Sequence, residues 1–325
     1  MKKEIRVAVY DPHNWYGEKK LRVESKKADI ELTVHDISDR PPNRDLYLIC
    51  DEYTGTNFPY FFPKKNRVAL LKESPKHFVN LDIEMLARRF NHVVTHKKSF
   101  LQQYKNFVRV EYSANWVDRD PSYCAERNIE PYKKTKNVSF VGNVSRSHTE
   151  GYRYRKDVYE YLSARMDVDC FGKGIFPIEQ KTSALLDYRF SIAMENERED
   201  YYFSEKLIDC FLTDTVPIYY GCPSISEIFC AEGILSFQTI EELQIILDSL
   251  SEELYQSKLK AISENKRLAM NNRMDNFENY IARVVDSISE HVISNRNINL
   301  GTSKLSALCR LFGDLIHRSF WARGG

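Results

Sequence analysis

Long apolar runs are missing from this chain. No stretch approaches the roughly 20 residues that a membrane-spanning helix requires. The first residues, Met1-Lys-Lys-Glu-Ile-Arg, pass straight into the strand-like RVAVY with no signal-peptide pattern, which predicts a cytoplasmic protein. An excess of one charge is also missing: 47 Lys and Arg stand against 46 Asp and Glu, a net charge of +1. That balance argues against a general nucleic-acid binder. None of the seven cysteines forms a CxxC pair, and several lie inside apolar segments, the pattern of buried free thiols in a reducing compartment. The eight histidines show no HExxH and no paired ligand spacing. There is no P-loop, no GxSxG and no internal repeat. The sequons at Asn137 and Asn143 carry no weight in such a chain.

What is present is an ordinary globular composition, 42% hydrophobic and 29% charged, over 325 residues, enough for two domains with separate cores. The first half predicts short strands near Ile5–Tyr10, Ile30–Val34, Leu46–Cys50, Val68–Leu71, Val93–Thr95 and Val108–Glu111, with helices around Asp82–Phe90 and Lys98–Tyr104. A link rich in Pro and Lys, Glu130–Lys136, marks a boundary. Two long charged helical stretches are expected between Glu241 and Ile293. From Lys304 to Trp321 a stripe of Leu305, Leu308, Leu311, Phe312, Leu315, Ile316 and Phe320 is flanked by Lys304, Arg310, His317 and Arg318. Two readings of 304–321 stand side by side: peripheral contact with an anionic membrane surface, and a helix packed on the protein.

The most informative stretch is Tyr188–Pro223, YRFSIAMENEREDYYFSEKLIDCFLTDTVPIYYGCP. Tyr188, Phe190, Ile192 and Met194 alternate as a strand does, and a polar loop follows Glu195-Asn196. Ser204 stands where an N-cap belongs, ahead of a helix carrying Leu207, Ile208, Phe211 and Leu212. Thr215–Gly221 returns to strand character. In open α/β sheets such a loop faces the ligand crevice. A helix start bearing Lys206 suits a phosphate, because free N–H groups and a cation converge there. Two further segments end in polar turns: the strand of RVALLKESPKH stops at Glu73-Ser74-Pro75, and NVSFVGNVSRSH leads to a helix bearing Arg153 and Arg155.

Glu195-Asn196, then Tyr202-x-Ser204-Glu205-Lys206, then TVPIYYGCPS, resembles the donor-binding signature of the α1,3/4-fucosyltransferases, glycosyltransferase family 10. The family pattern runs FEN, YxTEK and TVPVxxGxP; Met194 replaces its Phe and Ser204 its Thr. The resemblance implies an α/β chain of GT-B architecture, two Rossmann-like domains facing a cleft. Residues 1–132 would bind acceptor, 133–285 would bind GDP-fucose, and 286–325 would form a helical tail. It implies inverting transfer of fucose to a hydroxyl of an N-acetylglucosamine-type glycan, such as a lipopolysaccharide precursor, at the inner face of the cytoplasmic membrane. Glu73 falls on the family's catalytic base. Arg155 falls on its diphosphate-binding arginine, with Arg153 as competitor. Asn196 and Tyr202 would bond phosphate or fucose, Glu205 the ribose, and Ser204 and Lys206 the diphosphate end of the helix. Glu195 would touch the sugar or orient the loop. No cofactor is required and no metal is held; a divalent cation would at most stimulate. The DxD matches Asp118-Arg-Asp120 and Asp167-Val-Asp169 are decoys on this reading. A GT-B enzyme using another nucleotide sugar, and a non-catalytic glycan-binding or partner-binding protein on the same fold, are the alternatives.

Overall fold

Apolar residues in the first hundred positions come in short, near-continuous runs, as strands buried on both faces require. In this computed structural model, which describes residues 2–13, 20–39, 42–74, 81–126, 132–146 and 150–294, they form a seven-stranded sheet. Its strands are β1 (Lys3–Tyr10), β2 (Lys20–Glu24), β3 (Ala28–His35), β4 (Leu46–Cys50), β5 (Arg67–Leu71), β6 (His92–Thr95) and β7 (Phe107–Arg109), in the order β2-β3-β1-β4-β5-β6-β7. All pairs are parallel except the antiparallel edge pair β2 and β3. Strand β2 was not anticipated, because KLRVE has too few apolar residues to stand out, and β7 stops at Arg109 rather than Glu111. Short helices α1 (Ile83–Arg89) and α2 (Lys98–Leu101) complete this half, and α3 (Pro121–Glu126) leads into the second.

The second sheet contains β8 (Lys136–Val141), β9 (Val168–Phe171), β10 (Tyr188–Met194), β11 (Val216–Tyr220) and β12 (Leu235–Ser236), all parallel, in the order β12-β11-β10-β8-β9. Helix α4 (Glu150–Ser163) joins β8 to β9, and α5 (Glu205–Leu212) joins β10 to β11. Phe190 and Ile192 are buried as the alternation of β10 predicts; Ser191 and Ala193 are buried too, since both faces of the strand are covered. The strand ends of each half therefore present their carboxyl sides as ligand-bearing edges.

The region expected to hold two helices holds three: α6 (Ile240–Asp248), α7 (Glu252–Asn271) and α8 (Phe277–Ser294). Thr239 and Ser251 cap α6 and α7 by accepting from the N–H groups of Glu242 and Leu254. The break before α8 passes through Arg273 in the left-handed region, φ 54°. Phe277, Tyr280, Ile281, Val284, Val285 and Ile288 of α8 pack on the first sheet beside Val7, Val9, Leu48 and Val68. The division drawn at 285/286 thus falls inside one helix that belongs to the first core. The division at 132/133 is displaced as well, because Val117 and Tyr123 already pack into the second core. Chain order alone conceals such exchanges, since both halves offer apolar faces to the same helical pattern. Residues 304–321 lie outside the described residues. Among the described residues, no helix is long and apolar enough to cross a membrane.

Candidate active site

The loop after β10 is closed by its own first residue. Glu195 is fully buried and its carboxylate accepts from the Ser204 N–H at 2.9 Å and the Ser204 hydroxyl at 2.7 Å. These two bonds tie the first residue of the loop to its last. Ser204 caps α5 as predicted, and Lys206 Nζ donates to Ser204 Oγ at 2.9 Å and Glu205 Oε1 at 3.2 Å. Burial alone would raise the Glu205 pKa, but the Lys206 ammonium, Lys181 and the Lys206 hydrogen bond outweigh it and hold the carboxyl at about 2.

Arg155 comes to the same place from α4. Its Nη2 donates to the Met194 carbonyl and to Asn196 Oδ1, each at 2.8 Å, and the side chain is 2% exposed. Burial lowers its pKa. The helix reaches the loop because residue 151 is glycine: a Cβ there would stand 1.8 Å from the Asn196 carbonyl oxygen. Arg153, two residues along and so about 200° round the helix, is exposed and lines a separate groove with Tyr154, Lys156, Tyr220 and Gln238. Asn196 is thus gathered to Arg155.

The facing edge belongs to the first domain. Asp11 follows β1, Asp51 follows β4, and Lys72-Glu73 follows β5, so three neighbouring strands end in charge. The Glu73 side chain is 28% exposed, with its Oε1 3.8 Å from His13 Nε2 and 3.7 Å from Lys72 Nζ. Pro75, Lys76 and His77 lie outside the described residues. His96, at the end of β6, packs against Tyr202 with the rings tilted and their centroids 5.1 Å apart. Burial and neighbouring Lys97 push His96 down to about 3, so it stays neutral at ordinary pH. Burial raises the Tyr202 phenol well above its usual range, and Glu195, Glu73 and Glu205 add to it. Tyr112 is raised by burial, with Glu205 and Glu73 again acting on it. His96 thereby brings the edge of the first domain onto the loop that holds Tyr202 and Glu205.

Other residues hold the two edges together. Lys98 pairs with Asp200 at 3.1 Å, and Arg109 lies over the Tyr201 ring at 4.3 Å. Tyr201 adopts φ 64°, and its hydroxyl donates to Glu227 at 3.1 Å. Asp209 Oδ1 accepts from the Trp116 N–H at 2.7 Å. Lys72, His96, Asp11, Asp51 and this interdomain set were not singled out in the sequence. For Lys72 a signal existed, a lysine closing the apolar run VALL directly before Glu73. The others lie on segments that meet only in the fold.

The two DxD matches are occupied by local contacts. Asp118 accepts from Asn115 Nδ2 at 2.8 Å, and Asp120 from the Ser122 hydroxyl at 2.6 Å. Asp167 pairs with Arg165 at 2.8 Å, and Asp169 accepts from the Tyr188 hydroxyl at 2.7 Å, near the amino end of β9 and so on the edge opposite the site.

The two facing Rossmann-like sheets, with a cation-bearing helix start between them, have the GT-B architecture. Residues 131–261 match the profile of glycosyltransferase family 10 (fucosyltransferase), C-terminal part. An alpha-(1,3)-fucosyltransferase, FucT, of Helicobacter pylori is 27% identical over 73 residues, which are 22% of this chain and 15% of that protein. The matched stretch is thus a small part of the curated relative. An alpha1,3-fucosyltransferase solved with GDP-fucose superposes with a TM-score of 0.53 at 18% identity, over 92% of this chain and 93% of that one. OtsA without ligand gives 0.52 at 8% identity, over 88% and 99%. At such identities these structures establish the fold. Residues 131–261 thus resemble a family 10 fucosyltransferase domain, and the chain as a whole has a GT-B fold.

Proposed function

We propose that the protein is an inverting fucosyltransferase that moves L-fucose from GDP-fucose to a hydroxyl of an N-acetylglucosamine-containing glycan. The observation that supports this reading is the gathering of Arg155, Asn196 and Lys206 at the Ser204-capped start of α5, opposite a sheet edge that carries Glu73. The H. pylori relative is named for an α1,3 linkage, and the same linkage on a surface polysaccharide or lipopolysaccharide precursor is the acceptor chemistry proposed here.

Glu73 takes the proton of the acceptor hydroxyl as its oxygen attacks the anomeric carbon from the face opposite GDP. The bond to the β-phosphate oxygen breaks, and the configuration inverts. A positioned base contributes about 10²–10⁴-fold to such a step. Negative charge gathers on the departing diphosphate, where Arg155, Lys206 and the N–H groups at the start of α5 stabilise it. Glu205, held ionised by Lys206, accepts from the ribose hydroxyls. Asn196 and Tyr202 bond phosphate or fucose, and Ser204 and Glu195 hold the loop in register. Side-chain cations thereby do what a metal does in DxD-dependent transferases.

Glu73→Gln keeps the size of the side chain and removes its basicity. Turnover at saturating acceptor is expected to fall at least a hundredfold, a range set by general-base magnitudes, with GDP affinity unchanged by calorimetry. Wild-type turnover in this variant would remove Glu73 from the role.

A further inference from the structure

Lys72 stands in a position that lysine rarely occupies. It follows four fully buried apolar residues, Val68–Leu71, and its side chain is 1% exposed. Burying an ammonium costs several kcal/mol unless partners repay it. Here three strand ends supply them: Asp51 Oδ2 at 2.9 Å, Asp11 Oδ1 at 3.3 Å and Glu73 Oε1 at 3.7 Å. The side chains of Asp11 and Asp51 are as buried as the lysine, whereas Glu73 reaches toward the cleft.

The cluster also grips the backbone that carries Glu73. Asp51 Oδ1 accepts from the N–H groups of both Lys72 and Glu73, at 2.9 and 3.0 Å. Asp51 does so from the left-handed region, φ 45°, a conformation that costs a non-glycine residue energy and persists where surroundings enforce it. Asp11 Oδ1 accepts from the His13 N–H at 3.0 Å, tying the end of β1 to the same knot. Tyr112 closes it from beyond β7, with Lys72 Nζ 5.8 Å from its ring centre. Three carboxylates on one patch repel one another, and Lys72 is the cation among them.

We propose that Lys72, seated on Asp11 and Asp51, is a positioning residue for Glu73: its buried ammonium draws the Glu73 carboxylate to the mouth of the cleft and offsets the repulsion of the two carboxylates beneath it. This rests on Glu73 being the base, and its test separates the two ideas. Lys72→Met removes the cation while keeping the length of the side chain. The turnover number is expected to fall on the order of 10- to 100-fold, with the GDP dissociation constant and acceptor KM changed less than threefold, because the group acts on the reacting carboxylate and not on binding. Lys72→Arg, which keeps the charge, restores most of the loss.

The deciding measurement is a double-mutant cycle by single-turnover assay with radiolabelled donor. In a Glu73→Gln background, Lys72→Met should cost less than threefold further, since both changes remove the same contribution. An undiminished loss in that background would show that Lys72 acts elsewhere and overturn the proposal, with Glu73 still the base. Full activity of Glu73→Gln would instead overturn the base. If Lys72→Met alone fails to fold, Lys72→Met with Asp11→Asn, which leaves the net charge of the cluster unchanged, carries the same cycle against Asp11→Asn.

Discussion

Replacing Arg155 by methionine should separate the two candidate arginines of α4 in one experiment. The guanidinium donates two hydrogen bonds at 2.8 Å to the Met194 carbonyl and Asn196 Oδ1 from a fully buried position. Hydrogen bonds to a charged group contribute about 1.5–3 kcal/mol each, and relief from burying the cation returns part of that. A net loss of roughly 2–4 kcal/mol follows, which for a domain of this size lowers Tm by roughly 5–15 °C. If Arg155 also meets the diphosphate, losing that charge-assisted contact raises the Kd for GDP roughly 10- to 150-fold. Arg153→Met alters an exposed side chain and should stay within about 0.5 kcal/mol. Thermal melts and calorimetry with GDP on both variants read these quantities side by side. A larger loss of GDP affinity in Arg153→Met than in Arg155→Met would refute the assignment.

Two further outcomes follow from the site. Glu205 is held at about 2, below the 4.5 of an unfolded glutamate, so its stabilisation is complete above about pH 4.5 and is lost as pH falls toward 2; Glu205→Gln should flatten that part of the Tm–pH curve, and parallel curves for variant and wild type would contradict the argument. Asp118→Asn and Asp169→Asn should leave transfer within about threefold of wild type, and EDTA should slow but not abolish it; complete loss restored by added metal would place a metal in the mechanism.

Much of the architecture was legible because parallel strands are short apolar runs and helix starts carry caps. Leu46–Cys50 was bounded to the residue, and Ser204 was placed as the cap it is. The loop after β10 was legible because its polar pattern is local: Glu195, Asn196, Tyr202, Ser204, Glu205 and Lys206 lie within twelve residues. The knot beneath Glu73 was not legible, because Asp11, Asp51 and Lys72 come from three strands that only the order β1-β4-β5 makes neighbours. The crossing of α8 to the first sheet was hidden for a similar reason. An amphipathic stripe declares that it packs, and nothing in its period names the sheet it packs on.

The central claim concerns which sugar moves and from which nucleotide. Purified protein should be incubated with N-acetyllactosamine and lacto-N-biose glycans and, in turn, GDP-fucose, GDP-mannose, UDP-glucose and UDP-galactose, and product mass and anomeric configuration read. The account predicts a deoxyhexose added from GDP-fucose alone, with the anomeric configuration inverted. Transfer from a UDP-sugar with none from GDP-fucose would contradict it.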